Sequence, residues 1–312
     1  MLLAVLCSLA WVAADLLRKA LVAHHEDPIT VAAVAPLGAA LGCTIYVAFE
    51  GHALPAPPAA GWGLFAALCV ANLVGNYLFI RALFLGEISA VLPVFCLTPV
   101  VGALGAYALM GEGLSIAGVV GVLMVIAGTA AIVGGGGAKG RAGVGSMVGA
   151  VICWGMAPAL DKAIIGQGWS LWTYMLMALW AVALPLMLER LIRAPQKLVA
   201  VVRQTPWLLL GLIPAGAAAL GLQLLAVVQI EVGLLEAIKR AGVVLSVVLA
   251  ARLFGEVSAM SRLPFMLLVA AGVFLLAQPL ASLVFIAVYA VITLALVGLL
   301  RTVLSRLLQA RS

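Results

Sequence analysis

Glu236, Lys239 and Arg240 sit in an otherwise apolar stretch, 232–254, at spacings of three and four residues. On a helix that spacing puts all three on one face. Arginine presents a planar fork that matches a carboxylate or phosphate, and lysine a compact point charge. Glu236 can neutralise only one of the two cations, which leaves one positive charge for an anionic ligand. At ~1.5 Å per residue the Lys-Arg pair lies about 10 Å into the helix. If the stretch crosses a bilayer, a charge at its centre costs roughly 2.5–3.5 kcal/mol, so such residues face a cavity or a partner. Two readings stand: an anion-binding site on a substrate path, or an ion cluster internal to one helix.

Other polar residues inside apolar stretches extend the candidate site. Glu236 and Asp15 are candidate coupling carboxylates, and Asn72, Asn76 and Tyr77 form a polar stripe on a third helix. Gln223 and Gln229 do the same on an eighth. Helix–helix hydrogen bonding accounts for such residues as well as ligand binding does. Trp11 and Trp154 lie deep within their stretches, which favours packing or cavity walls over an interfacial belt. Asp161 is expected at a span end, paired with Lys162, and Glu87 and Glu231 at helix starts, where a carboxylate suits the N-terminal dipole. Glu112 and Glu256 follow glycines and read as turn or cap elements. His24, His25, Glu26 and Asp27 are read as a solvated loop, so no metal and no cofactor are expected. Cys7, Cys43, Cys69, Cys96 and Cys153 fall singly in apolar stretches and are expected as buried thiols.

The elements that must position these residues follow from composition. The chain of 312 residues is 66% hydrophobic and 9% charged, with a mean hydropathy of +1.28. Those values exclude a soluble globular domain and specify an all-α polytopic membrane protein. Apolar stretches near 1–22, 29–49, 61–82, 87–110, 114–134, 145–165, 168–188, 206–229, 232–254, 263–279 and 281–300 are each expected to cross a core of roughly 30 Å. The first is expected to be a retained span rather than a signal peptide. Pro93 and Pro99 punctuate the fourth span, and Pro158 and Pro214 are expected to break the sixth and eighth.

Two halves repeat. Trp11 and Lys19 recur as Trp154 and Lys162 at an offset of 143; Glu87, Gly111-Glu112 and Ala127-Gly128 recur as Glu231, Gly255-Glu256 and Ala271-Gly272 at 144. Five spans per half is an odd number, so the second copy enters the membrane from the opposite side. The division is a first five-helix repeat over 1–134, a Gly-rich linker over 135–144, a second repeat over 145–279, and an extra helix with a basic tail over 280–312. Inverted repeats of this kind build secondary transporters with a site between the halves.

These residues in this order resemble the drug/metabolite transporter superfamily, and within it the EamA-type exporters. The resemblance rests on Trp11 with Lys19, Gly86 to Pro93 through Pro99 to Gly111-Glu112, Trp154 with Lys162, and Leu234 to Arg240 through to Gly255-Glu256. It covers residues 1 to about 279 and implies two five-helix repeats around a central cavity, moving small metabolites by alternating access. The helix at 281–300 departs from the usual ten spans of that family. At Lys239-Arg240 the chain is also similar to triose-phosphate and nucleotide-sugar translocators, where such a pair in the ninth helix grips a phosphate. Those relatives add a lysine in the fourth helix, and Ile88–Met110 has no basic residue.

Lys and Arg gather in odd-numbered loops and the C-terminal tail, with Arg18, Lys19, Arg81, Arg190 and Arg262 among them, whereas even-numbered loops hold Lys162 alone. The positive-inside rule then predicts an integral protein of a bacterial inner (plasma) membrane with N-terminus out and C-terminus in. The predicted function is secondary transport, without ATP, of a small metabolite bearing an anionic group. The alternatives are a lipid-phosphate or lipid-sugar flippase, and a cation or amino-acid exporter in which Lys239-Arg240 is structural. No Gly-rich Lys-Ser/Thr loop suggests a pump, and no nucleophile–base pair suggests an enzyme. The expected partners are the substrate and membrane lipid, without nucleic acid; a homodimer is left open.

Overall fold

The computed structural model describes residues 2–25, 27–111, 115–134, 142–230, 232–253 and 259–277. The helix expected at 281–300, most of the Gly-rich linker, and Glu112, Glu231, Gly255 and Glu256 lie outside those residues. Among the described residues the regular structure is entirely helical. The helices are α1 (Leu2–His24), α2 (Pro28–Glu50), α3 (Trp62–Leu85), α4 (Ile88–Phe95), α5 (Thr98–Met110), α6 (Ile116–Gly134), α7 (Val144–Gly155), α8 (Ala157–Gly166), α9 (Leu171–Arg193), α10 (Pro195–Gln204), α11 (Pro206–Val227), α12 (Val232–Leu253) and α13 (Ala259–Ala277).

Among the described residues six segments are long and apolar enough to cross a membrane: Pro28–Glu50, Trp62–Leu85, Ile88–Leu109, Val144–Gly166, Leu171–Arg193 and Pro206–Val227. Gly118–Gly134 and Pro264–Leu275 form shorter apolar stretches. In α1 and α12 the run is interrupted by Asp15, Arg18 and Lys19, and by Glu236, Lys239 and Arg240. Those charges are what keeps α1 and α12 outside that set of six.

Local chemistry sets the ends and breaks. Pro28 opens α2, where its missing N–H costs nothing, and Gly51 closes it with φ 66°, a left-handed conformation that glycine adopts freely. The expected fourth span is two helices, α4 and α5, parted at Cys96-Leu97 just before Pro99. The expected sixth is likewise split at Met156, with Pro158 in the first turn of α8. Pro214 does not break α11, nor Pro36 α2. The carbonyl that Pro36 leaves without an N–H partner, that of Ala32, accepts a 2.7 Å hydrogen bond from Asn76 Nδ2 of α3. The α3 C-terminus is served similarly: Lys19 Nζ donates to the carbonyls of Leu83 (2.8 Å) and Gly86 (3.0 Å).

Helices of the first half pack chiefly on helices of the second. α6 lies along α13, α2 along α9 and α11, α1 along α11 and α12, α3 along α7 and α8, and α4 against α7 and α12. The α6–α13 approach is close enough that a Cβ at Gly272 would lie 2.7 Å from the Gly121 carbonyl oxygen and 2.9 Å from the Val125 nitrogen. That is the small-residue contact by which membrane helices gain dispersion energy without a hydrophobic drive. It also gives the repeated Ala-Gly pairs a packing role. The connection between α9 and α11, read from sequence as a loop, contains the amphipathic α10, which buries Leu198 and Val201 and exposes Val199 and Val202.

Candidate functional site

Between the halves lies a cavity of about 150 Å³. α1 contributes Ser8, Trp11, Val12, Asp15 and Arg18; α2 contributes Pro36 and Ala39, α3 Asn72 and Asn76, and α4 Phe95. From the second half come Trp154 of α7, Pro158 and Asp161 of α8, Tyr174 and Leu179 of α9, Gln223 of α11, and Lys239, Arg240 and Ser246 of α12. α6 and α13 contribute nothing to the lining. Both helix breaks abut the cavity: Phe95 ends α4 and Ala157 begins α8.

The α12 trio forms one ion cluster. Arg240 Nη2 donates to Glu236 Oε2 at 2.7 Å, and Lys239 Nζ to Glu236 Oε1 at 2.5 Å. Glu236 is 1% exposed and stands behind the two cations, which themselves line the cavity. The pair therefore belongs to an ion cluster within one helix, with one carboxylate for two cations, and both cations face the cavity. Next to it on α1, Arg18 Nη1 pairs with Asp15 Oδ1 at 3.1 Å. The two carboxylates proposed from sequence for coupling, Glu236 and Asp15, are therefore both engaged in ion pairs. Arg18 was expected as a membrane-flanking charge; it is buried within α1 and lines the cavity instead.

Aromatic faces cover the cations. The Arg240 guanidinium carbon lies 4.2 Å from the Phe95 ring centroid, Arg18 lies 5.2 Å from the Trp11 ring, and Lys239 Nζ lies 5.9 Å from the same ring. In a dry site each such contact is worth up to about 2 kcal/mol. Trp11 Nε1 donates to Gln223 Oε1 at 3.3 Å, so the indole is oriented as well as packed. The Nε atoms of Arg18 and Arg240 are buried without a hydrogen-bond partner, so neither guanidinium is saturated.

Asp161 overturns its sequence reading. It is not a span-end residue: it is 5% exposed, lines the cavity, and accepts a hydrogen bond from the Tyr174 hydroxyl. No lysine or arginine of the described residues comes within ion-pair distance of it. The signal in the sequence was its place three residues after Pro158, in a helix that starts afresh at Ala157.

Of the remaining candidates, Trp11, Trp154, Asn72 and Asn76 reach the cavity, Asn76 already committed through its amide to Ala32. Tyr77 does not: it follows Asn76 by one residue, which turns it about 100° around the helix, and it lies outside the lining. Gln223 lines the cavity whereas Gln229 is exposed beyond the end of α11. Glu87 caps no amide with its side chain but accepts from Arg262 Nη1 at 3.2 Å, and Arg262 also donates to Ser89 at 2.6 Å. In the loop after α1, His25 meets the Thr205 hydroxyl at 3.0 Å and Asp27 pairs with Arg190 (2.9 Å) and Lys197 (3.4 Å). Among the described residues no group of three His, Cys, Asp or Glu could hold a metal.

Residues 1–134 match the sequence model of the EamA-like transporter family. A crystal structure of a protein superposes with a TM-score of 0.60 at 20% identity, covering 87% of this chain and 97% of that chain, which shows a shared fold. No curated protein matches the chain. The family match and the apolar helices identify an integral membrane protein and point to a transporter of small molecules rather than an enzyme.

Proposed function

We propose that this chain, EamA-like over its first repeat, is a secondary transporter that moves a small metabolite bearing an anionic group by alternating access. The observation that carries the reading is the cavity between the halves, into which α1 and α12 turn three cations backed by two carboxylates. With those groups ionised, this wall keeps one positive charge in excess. Arginine and lysine in a water-poor cavity bind a carboxylate or phosphate far more strongly than at a surface.

The packing supports two inverted five-helix repeats. α6 with α13, α2 with α9, and α4 with α12 are each a pairing of counterparts, and α1 with α11 exchanges with α3 on α7–α8. A two-fold axis in the membrane plane, swapping the halves, maps that set of contacts onto itself. In this reading the helix breaks at Cys96 and Met156 let each half rock about the cavity. The basic residues of the α9–α11 connection, Arg193, Lys197 and Arg203 among them, favour a cytoplasmic position for that end of the bundle by the positive-inside rule, which in this reading puts the N-terminus outside.

The test is thermal stabilisation of the purified protein by a panel of carboxylates, phosphates and amines, repeated on Lys239→Gln, which spares the Glu236–Arg240 pair. An anionic class should raise the Tm of the wild type in proportion to saturation. Removing the surplus cation should weaken that class about tenfold, the equivalent of ~1.4 kcal/mol. Amines stabilising both proteins equally, with no response to anions, would overturn the reading.

A further inference from the structure

Among the described residues that line or back the cavity the charges balance, but they are segregated. Arg18, Lys239 and Arg240 with Asp15 and Glu236 occupy α1 and α12 and sum to one positive charge; Asp161, on α8, carries one negative charge. The hydrogen-bond donor on Asp161 is neutral, the Tyr174 hydroxyl of α9. The charged groups that face it are Lys239 and Glu236 of α12, acting from beyond ion-pair distance. The spacing that carries Trp11 to Trp154, both on the cavity wall, carries Arg18 to Asp161. Matching positions of the two halves therefore hold opposite charge.

A purely anionic ligand would satisfy the α1–α12 wall and leave the cavity with a net negative charge at Asp161. A ligand with separated opposite charges satisfies both walls and leaves the buried sum at zero, and an unpaired charge in a low-dielectric interior is the most costly item in such a site. We propose that Asp161, held by Tyr174, is a cation subsite, and that the substrate is a dipolar ion whose acidic group sits on Lys239-Arg240 and whose ammonium or similar cation sits on Asp161. The apolar body lies against Trp11, Trp154 and Phe95. This rests on the anion reading above for one end of the substrate and adds the other.

The experiment measures affinity by Tm shift or calorimetry on the purified full chain, for unbranched α-amino acids from alanine to norleucine. Each is compared with its des-amino acid and its decarboxylated amine, for instance norleucine with hexanoate and pentylamine. A buried charged hydrogen bond implies that the best amino acid binds about 10- to 100-fold tighter than its des-amino counterpart. Asp161→Asn, which keeps the shape and can still accept from Tyr174, should erase the preference for the amino acid over the des-amino acid, and the des-amino acid should bind as well as before or better because the unpaired carboxylate is gone. Asp161→Glu should restore part of the preference, which separates lost charge from a disturbed fold. No amino acid binding better than its des-amino counterpart, or a preference that survives Asp161→Asn, overturns the proposal. Lys239→Gln distinguishes the two readings: if it fails to weaken hexanoate while Asp161→Asn still weakens norleucine, the anion site is wrong and the cation subsite stands.

Discussion

Where α12 carries Glu236, Lys239 and Arg240, α4 packs against it and carries Leu92 and Phe95, with Cys96 just beyond its end. The spacing that carries Glu87 to Glu231 makes these the matching positions of the two halves. One wall is charged and the other apolar, and they touch: Arg240 lies over the Phe95 ring. A repeated scaffold supplies two walls of similar shape, but desolvation penalises a second set of charges that lacks partners. The α12 cations are tolerable because Glu236 neutralises one of them and aromatic faces cover both. Of these two matching walls, charge is thereby concentrated on one, and the other contributes an aromatic surface that a cation favours.

The comparison breaks hardest at Glu236. Replacing it by Gln leaves two cations buried without their acid, and removal of one member of a buried ion cluster costs about 3–5 kcal/mol. Glu236→Gln should therefore lower the Tm of the purified protein more than any other single change at the site. Adding Lys239→Gln should recover part of the loss, because it removes the cation left over. A wild-type Tm for Glu236→Gln would mean that the trio is hydrated rather than buried. The apolar side should break more gently. Phe95→Leu keeps the volume class and removes the ring from beneath Arg240, at a cost of about 0.5–2 kcal/mol. Its Tm loss should shrink when Arg240 is already Gln, and a double-mutant cycle in which the two losses add would remove the cation–π contact from the account.

The α12 trio was legible in the sequence because its chemistry is local: spacings of three and four residues fix one helix face without knowledge of the fold. The helix lengths, the split of the fourth and sixth spans near Pro99 and Pro158, and Trp11 and Trp154 on the cavity were legible for the same reason. Asp161 and Arg18 were not. Each is followed by a lysine near an expected span end, so each resembles a flanking charge; only the restart of α8 at Ala157 and the length of α1 put them on the cavity. Tyr77 failed the other way, since adjacency to Asn76 in the chain is divergence on a helix. The role of Asn76 needed the tertiary contact with the Ala32 carbonyl, and α10 was masked by Lys197 and Arg203, whose charges hide the buried Leu198 and Val201.

The smallest effect sharpens the contrast between ion clusters inside and outside the bundle. Asp27, in the loop between α1 and α2, accepts from the Thr30 hydroxyl at 2.6 Å and pairs with Arg190 and Lys197. Burial pushes its carboxyl up, but the Thr30 hydrogen bond and the charges of Lys197 and Arg190 outweigh that and hold it below the ordinary carboxylate range. A group whose folded pKa is depressed contributes stability that is present above its unfolded pKa, ~3.9, and is lost as pH falls through the folded value. Asp27→Asn should thus lower the Tm slightly at neutral pH and flatten its decline below about pH 4, where the wild type loses this contribution. The effect should fade at high salt because Lys197 is more than half exposed and screened. The Glu236→Gln loss, at a carboxylate only 1% exposed, should respond far less to salt, and a matching salt dependence for both would place the α12 cluster in contact with water.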